Sequence, residues 1–168
     1  MEATYKSYDI KKRNNNFKLI IIGGYKNNDE NYYFKIKKLI KELTLEEEVY
    51  FTGFLIDIRE ALNSLDIVVL SSLDERCSRS LLEAIACAKA VVATRVGGTP
   101  EIIEDGRNGI LVEPENVKQL AEAISRLIEN DKLRFQMGIR GRLYAEKMFN
   151  IKTHINKIRT LYLEVSGK

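Results

Sequence analysis

The sequence predicts an α/β fold, a parallel sheet of about five strands with helices on both faces, and three observations carry that expectation. Short β-branched runs alternate with longer helical patterns from position 17 onward, the pattern that parallel strands joined by crossover helices produce. Three of the runs are apolar nearly throughout, as strands covered on both faces are. Finally, 168 residues at 45% hydrophobic and 30% charged, with no Pro-, Gly- or Ser-rich linker and no repeat of solenoid length, describe one domain, 1–168, able to bury a sizeable core.

The predicted strands are 17–24 (FKLIIIGG), 48–53 (EVYFTG), 66–72 (DIVVLSS), 90–95 (AVVATR) and 109–113 (GILVE). All are too short for helices, and the first, third and fourth are the apolar ones. Between the first two, Tyr33, Ile36, Leu39, Ile40 and Leu43 recur at helical spacing, with Lys35, Lys37, Lys38 and Lys41 on the remaining surface. Val117, Leu120, Ala121, Ile124, Leu127 and Ile128 repeat the pattern, and Ile151, Ile155, Ile158 and Tyr162 carry it into a final helix. The lysines read as a solvated face rather than a membrane-binding stripe. The first sixteen residues read as a weak helix.

Composition removes several classes of function. Lys and Arg total 27 against 24 Asp and Glu, and a balance of +3 so evenly spread does not make nucleic acid the default partner. Cys77 and Cys87 stand ten apart with the single His at 154, so neither a disulfide framework nor a metal cluster is indicated. Cys77 reads as a small loop residue, Cys87 as core and His154 as a surface side chain. No signal-peptide run and no stretch of eighteen apolar residues is present, so the chain is expected to be cytoplasmic and not membrane-spanning. Walker, G-x-G-x-x-G and G-x-S-x-G motifs are absent.

Ligands of open parallel sheets sit beyond the carboxyl ends of the strands, so the segments that follow each run are the ones to inspect. Gly23-Gly24 reads as a turn, and Thr52-Gly53 carries the same two readings, a turn or a close backbone approach to a ligand. After the third strand, SSLDERCSRSLLEAIACA places Ser71, Ser72, Asp74, Glu75 and Arg76 in a loop and opens a helix near 78–80. Free N–H groups and the positive end of that helix suit a phosphate, with Arg76 and Arg79 able to add charge-assisted bonds. Glu75 is a loop acid able to accept bonds from a hydroxyl-rich ligand. Glu83 has a competing explanation: Ser80-Leu81-Leu82-Glu83 is also a capping box, and Thr44-Leu45-Glu46-Glu47 matches it with no suggestion of a ligand. After the fourth strand, Gly97-Gly98 lets backbone run close to a cleft, Thr99 is an N-cap, Pro100 takes the first helical position and Gly106 ends the short helix.

The run ERCSRSLLEAIACAKAVVATRVGGTPEIIEDGRNGILVEP, with Glu75-x7-Glu83 at its start, resembles the C-terminal, donor-binding half of retaining GT-B glycosyltransferases of the group 1 or family 4 type. LIIIGG and VYFTGF fit the family's earlier strands, so the likeness extends loosely from about Glu2 to the end. It implies a Rossmann-like domain, half of a GT-B fold, binding a nucleotide-diphosphate sugar such as a UDP- or GDP-sugar, with no metal. It also implies roles: Glu75, the candidate catalytic residue, holds hydroxyls of the transferred sugar, Glu83 holds the ribose, and backbone around Ser78, Arg79 and Ser80 meets the diphosphate. Gly97 and Gly98 complete the expected donor site. The chain departs from the family at Arg76-Cys77, where Gly and an aromatic are usual, and at Ser71-Ser72, where Pro-Ser is common.

By the same resemblance, the family's first central strand, which separates the strands at Phe17 and Asp66, and the acceptor-binding half precede Met1. Direct closure of those two strands on one another, or marginal stability, is therefore expected, and the chain alone is expected to be inactive in transfer. Alternative readings are an accessory or remnant domain completing a site with a separate acceptor-domain chain, and a nucleotide-sugar epimerase-like GT-B protein. Peripheral contact with a membrane stays open.

Overall fold

The computed structural model describes residues 17–24 and 30–167. The expected weak helix over the first sixteen residues lies outside them. The elements run β1 (Leu19–Ile22), α1 (Glu30–Glu42), β2 (Val49–Gly53), α2 (Arg59–Ser64), β3 (Ile67–Leu70), α3 (Arg79–Ala86), β4 (Ala90–Thr94), α4 (Thr99–Ile102), β5 (Ile110–Val112), α5 (Val117–Ile128), α6 (Asp131–Met148) and α7 (Ile151–Ser166). All five predicted strands form, and every ladder between them is parallel.

The strands make two sheets. β1 pairs β2, with Leu19 opposite Val49 and Ile21 opposite Phe51, and β3, β4 and β5 form a second sheet in that order. Direct closure of the strand at Phe17 on the strand at Asp66 does not occur: among the described residues β1 and β3 each carry a ladder on one side only. Each ladder is closed by a local crossover, through α1, α3 or α4, whereas pairing β1 with β3 requires closing a longer loop. Burial follows this topology. Only β4, central in its sheet, is buried at every residue, while β1 and β3 are intermediate and Val69 is exposed. An apolar run therefore marked a strand correctly but did not mark two covered faces.

Three apolar clusters result. Leu62, Leu81, Ile85, Val91, Ala93 and Ile103 pack on one face of the second sheet, and Val92, Val112, Leu120, Leu127 and Met137 on the other. Ile40, Leu45 and Val49 form a separate, smaller core between α1 and the first sheet, flanked by an edge-on contact of Tyr33 with Phe51 at 5.2 Å. Cys87 packs against the first cluster, and His154 is exposed.

Two helices are additional to those the periodicity predicts. In α6 Leu133, Met137, Tyr144 and Ala145 pack inward with Gly138 and Gly141, while Phe135, Ile139 and Leu143 face outward, so apolar residues lie on both faces and the periodicity has no contrast to read. α2 is short, and its first turn is tied by Asp57, whose carboxylate accepts from the Arg59 backbone N–H at 3.0 Å and from its guanidinium at 2.7 Å. That hydrogen bonding lowers the Asp57 carboxyl from its ordinary 3.8 to about 2. A depressed acid adds stability above its ordinary value and loses it as pH falls through the folded one. Arg59→Ala is thus expected to return the Asp57 titration, followed by carboxyl NMR shifts, toward 3.8; a midpoint unmoved in the variant rejects the pairing.

The final helix α7 is capped by Asn150, which accepts from the N–H groups of Lys152 and Thr153, and stops at Gly167 in the left-handed region. All of its residues are exposed. Among the described residues, no helix is long and apolar enough to cross a membrane, and no group of three His, Cys, Asp or Glu is placed to hold a metal ion.

Candidate functional site

The carboxyl ends of β3 and β4 lie side by side, Leu70 paired with Ala93, so the loops that leave them are neighbours. The first loop is pinned at three points spaced three residues apart. Thr94, 1% exposed at the end of β4, donates its hydroxyl to the Ser72 carbonyl at 2.5 Å. Gly98 donates its backbone N–H to the Glu75 carbonyl at 3.2 Å. Ser78, 3% exposed, caps α3 by accepting from Leu81 N–H at 3.3 Å, and its hydroxyl lies 2.9 Å from that of Ser80. Thr94 is the functional neighbour that sequence reasoning missed; a Thr closing an otherwise apolar strand is the signal that could have found it.

The cap corrects the capping-box reading. α3 begins after Ser78, not Ser80, so Glu83 stands at its fifth residue, beyond the reach of a box. Its side chain is exposed and makes no hydrogen bond or ion pair with the described residues. The Thr44–Glu47 match opens no helix at all: Thr44 has φ of 55° and the residues after it form a turn. The backbone N–H groups of Arg79 and Ser80, in the first turn of α3, have no acceptor among the described residues, because Ser78 reaches Leu81.

The second loop carries the glycine pair. Gly97 has φ of +48°, and a Cβ on it would fall inside the contact distance of the Glu75 carbonyl oxygen. A Cβ on Gly98 would do the same to the Arg76 carbonyl oxygen. Gly98, rather than Thr99, occupies the N-cap position of α4, which puts Thr99 in the first helical position and Pro100 in the second. That helix ends at Ile102, short of Gly106, which lies in the following turn with φ of +75°. The Asp105 carboxylate in that turn accepts from Leu111 N–H at 2.9 Å and pairs with Arg95 at 3.3 Å.

Glu75, half-buried, and Arg76, Arg79 and Glu83, exposed, therefore surround the start of α3, and none of their side chains pairs with another described residue. Two acids and two bases within nine positions, all uncommitted, beside free amides at a helix N-terminus, can receive a ligand that carries both anionic and hydroxyl groups. Cavities of about 370 Å³, at Glu122, Ser125 and Asn130, and about 380 Å³, at Arg107, Arg140 and Lys147, lie elsewhere.

Comparison with known proteins identifies the family and the fold. The chain is 32% identical over 148 residues to N-acetyl-alpha-D-glucosaminyl L-malate synthase of Bacillus anthracis, covering 88% of this chain and 38% of that protein. It superposes on the crystal structure of Anabaena HepE in complex with UDP with a TM-score of 0.89 at 27% identity, over 95% of this chain and 44% of that one. HepE has also been solved with UDP-glucose. The C-terminal domain of a group 1 family glycosyl transferase from Francisella tularensis superposes with a TM-score of 0.83 at 31% identity, over 89% of this chain and 78% of that domain. The chain thus spans about two fifths of the length of its full-length relatives. Its fold is that of half a GT-B glycosyltransferase, and since the pattern of the group 1 glycosyl transferases matches residues 4–144, the chain belongs to that family.

Proposed function

We propose that the chain is the donor-binding domain of a transferase that moves a sugar from a nucleotide diphosphate to an acceptor with retention at the anomeric carbon. The observation that carries this reading is the meeting of the Glu75 loop, the free amides of α3 and the unpaired Glu83 at the ends of two adjacent parallel strands. The α3 amides and dipole, with Arg79, receive the diphosphate and stabilise it as it leaves. Glu75 accepts from hydroxyls of the transferred sugar, and Glu83, freed from capping, accepts from the vicinal hydroxyls of the ribose. Catalysis on this scheme is orientation plus charge stabilisation at the leaving group. UDP is the favoured nucleotide, since solved neighbours hold UDP and UDP-glucose.

A second feature supports a division of labour. The relatives carry more than as much chain again, so the acceptor is assigned to another domain or a separate chain, and this one alone transfers nothing. Titration with UDP, GDP and ADP, followed by amide shifts, tests the donor assignment. Glu83→Ala is expected to weaken every nucleotide about tenfold, the effect of losing one charge-assisted bond pair, whereas Glu75→Ala weakens only sugar-bearing donors. Absence of saturable nucleotide binding at millimolar concentration removes the donor-domain reading and leaves the accessory or remnant one.

A further inference from the structure

We infer that Gly97 and Gly98 form a clasp that sets the position of the Glu75 loop, and that donor-sugar selectivity depends on them through Glu75 rather than through any contact of their own. The inference rests on the assignment of Glu75 to the transferred sugar.

Three features of the structure converge on it. The space a Cβ would take at Gly97 and at Gly98 is filled by main-chain carbonyl oxygens, those of Glu75 and Arg76 respectively, and backbone cannot swing aside as the end of a flexible side chain can. The Gly98 N–H is committed to the Glu75 carbonyl, so it is not free for a phosphate. The Glu75 side chain makes no hydrogen bond or ion pair with the described residues, so no polar partner fixes the carboxylate and its position follows that of its backbone. That backbone is held between the Thr94–Ser72 bond on one side and the Ser78 cap on the other, with the glycine pair at the midpoint. The glycine loop is itself firm: Thr99 donates to the Val96 carbonyl at 3.0 Å, and its side chain is fully buried. A rigid loop abutting a second loop at its acidic residue is a positioning device.

The experiment has two arms on the 168-residue chain. Without ligand, hydrogen exchange reads the clasp directly: the Gly98 amide is expected to exchange at least about tenfold more slowly than an open-chain amide. Exchange at the open-chain rate in the native chain overturns the clasp, whether or not any variant folds. With ligand, the readout is the ratio of UDP-glucose to UDP affinity in the native chain, Gly97→Ala, Glu75→Gln and the double variant. Each single change is expected to bring the ratio toward one, by about fivefold, with the double variant no further along than either alone. A Gly97→Ala chain whose two affinities fall in proportion, keeping the ratio, shows a merely structural glycine and overturns the inference. Loss of all UDP binding in the native chain rejects the donor-domain assignment instead, while the exchange arm still decides the clasp.

Discussion

Gly138→Val lowers the stability of the chain by about 3 kcal/mol, a fall of roughly 6–12 °C in thermal midpoint, although it replaces the poorest helix former but proline in the middle of an 18-residue helix. The reason is the approach of α6 to the turn that ends α3. Gly138 is buried, and a Cβ there would overlap the carbonyl oxygen of Ala88. That carbonyl is not free to move. Ala88 sits in the left-handed region with φ of 56°, its N–H bonds the Ile85 carbonyl at 3.0 Å, and the next N–H, of Lys89, bonds Ala84 at 3.1 Å. The added side chain must therefore push α6 off α3, which also strips cover from Ile85, the residue Gly141 packs on one turn later. Phe135→Ala, on the same helix but 71% exposed, is expected to change stability by less than about 0.5 kcal/mol. Thermal and denaturant melting of the two variants checks both values. A Gly138→Val chain melting with the native one means that α6 does not approach the turn so closely.

The same helix shows where the sequence could be read and where it could not. Strands β1 to β5 were legible because each is a short apolar run bounded by polar or glycine residues, and α5 because Leu120, Ala121, Ile124 and Leu127 mark its buried side. α6 hides itself: Gly138 and Gly141 dilute a contact face that also holds Leu133, Met137 and Tyr144, while Phe135, Ile139 and Leu143 put as much apolar surface on the outer side, so no amphipathic contrast survives. At the site, the loop composition and the glycine pair were visible in the letters, and so was the pair of acids. What the letters could not separate was a capping Glu83 from a free one, because a capping box depends on which serine starts the helix. A buried Ser78 reaching Leu81 decides it, and burial is a property of the packed chain. Nor could the letters show that the glycines abut the acidic loop, a contact between segments some twenty residues apart in the chain.

Leu127→Ala separates the two sheets as folding units. Leu127 is wholly buried among Val92, Leu120 and Met137 on one face of the β3–β5 sheet, and truncating it costs about 3 kcal/mol in lost transfer energy and residual cavity. None of the residues around it belongs to the core that joins α1 to β1 and β2, whose buried members are Ile40, Leu45 and Val49. With no ladder between β1 and β3, the penalty has no rigid path to that smaller core. Native-state hydrogen exchange should therefore speed up on the order of 100-fold at Val91, Val92 and Ala93 in the variant while leaving Ile20 and Ile21 near their native rates. In the unaltered chain the same amides order the two units: β4, buried throughout and paired on both sides, exchanges only on full unfolding of its sheet, and β1, half-buried and paired on one side, exchanges earlier. Equal acceleration at Ile20 and Val92 would mean that the two sheets unfold as one body, which requires contacts across the gap strong enough to replace a ladder. That outcome would locate the stability of the donor site differently: Glu75 and Glu83 would then depend on the first sheet as much as on the second, rather than on β3, β4 and the helix between them.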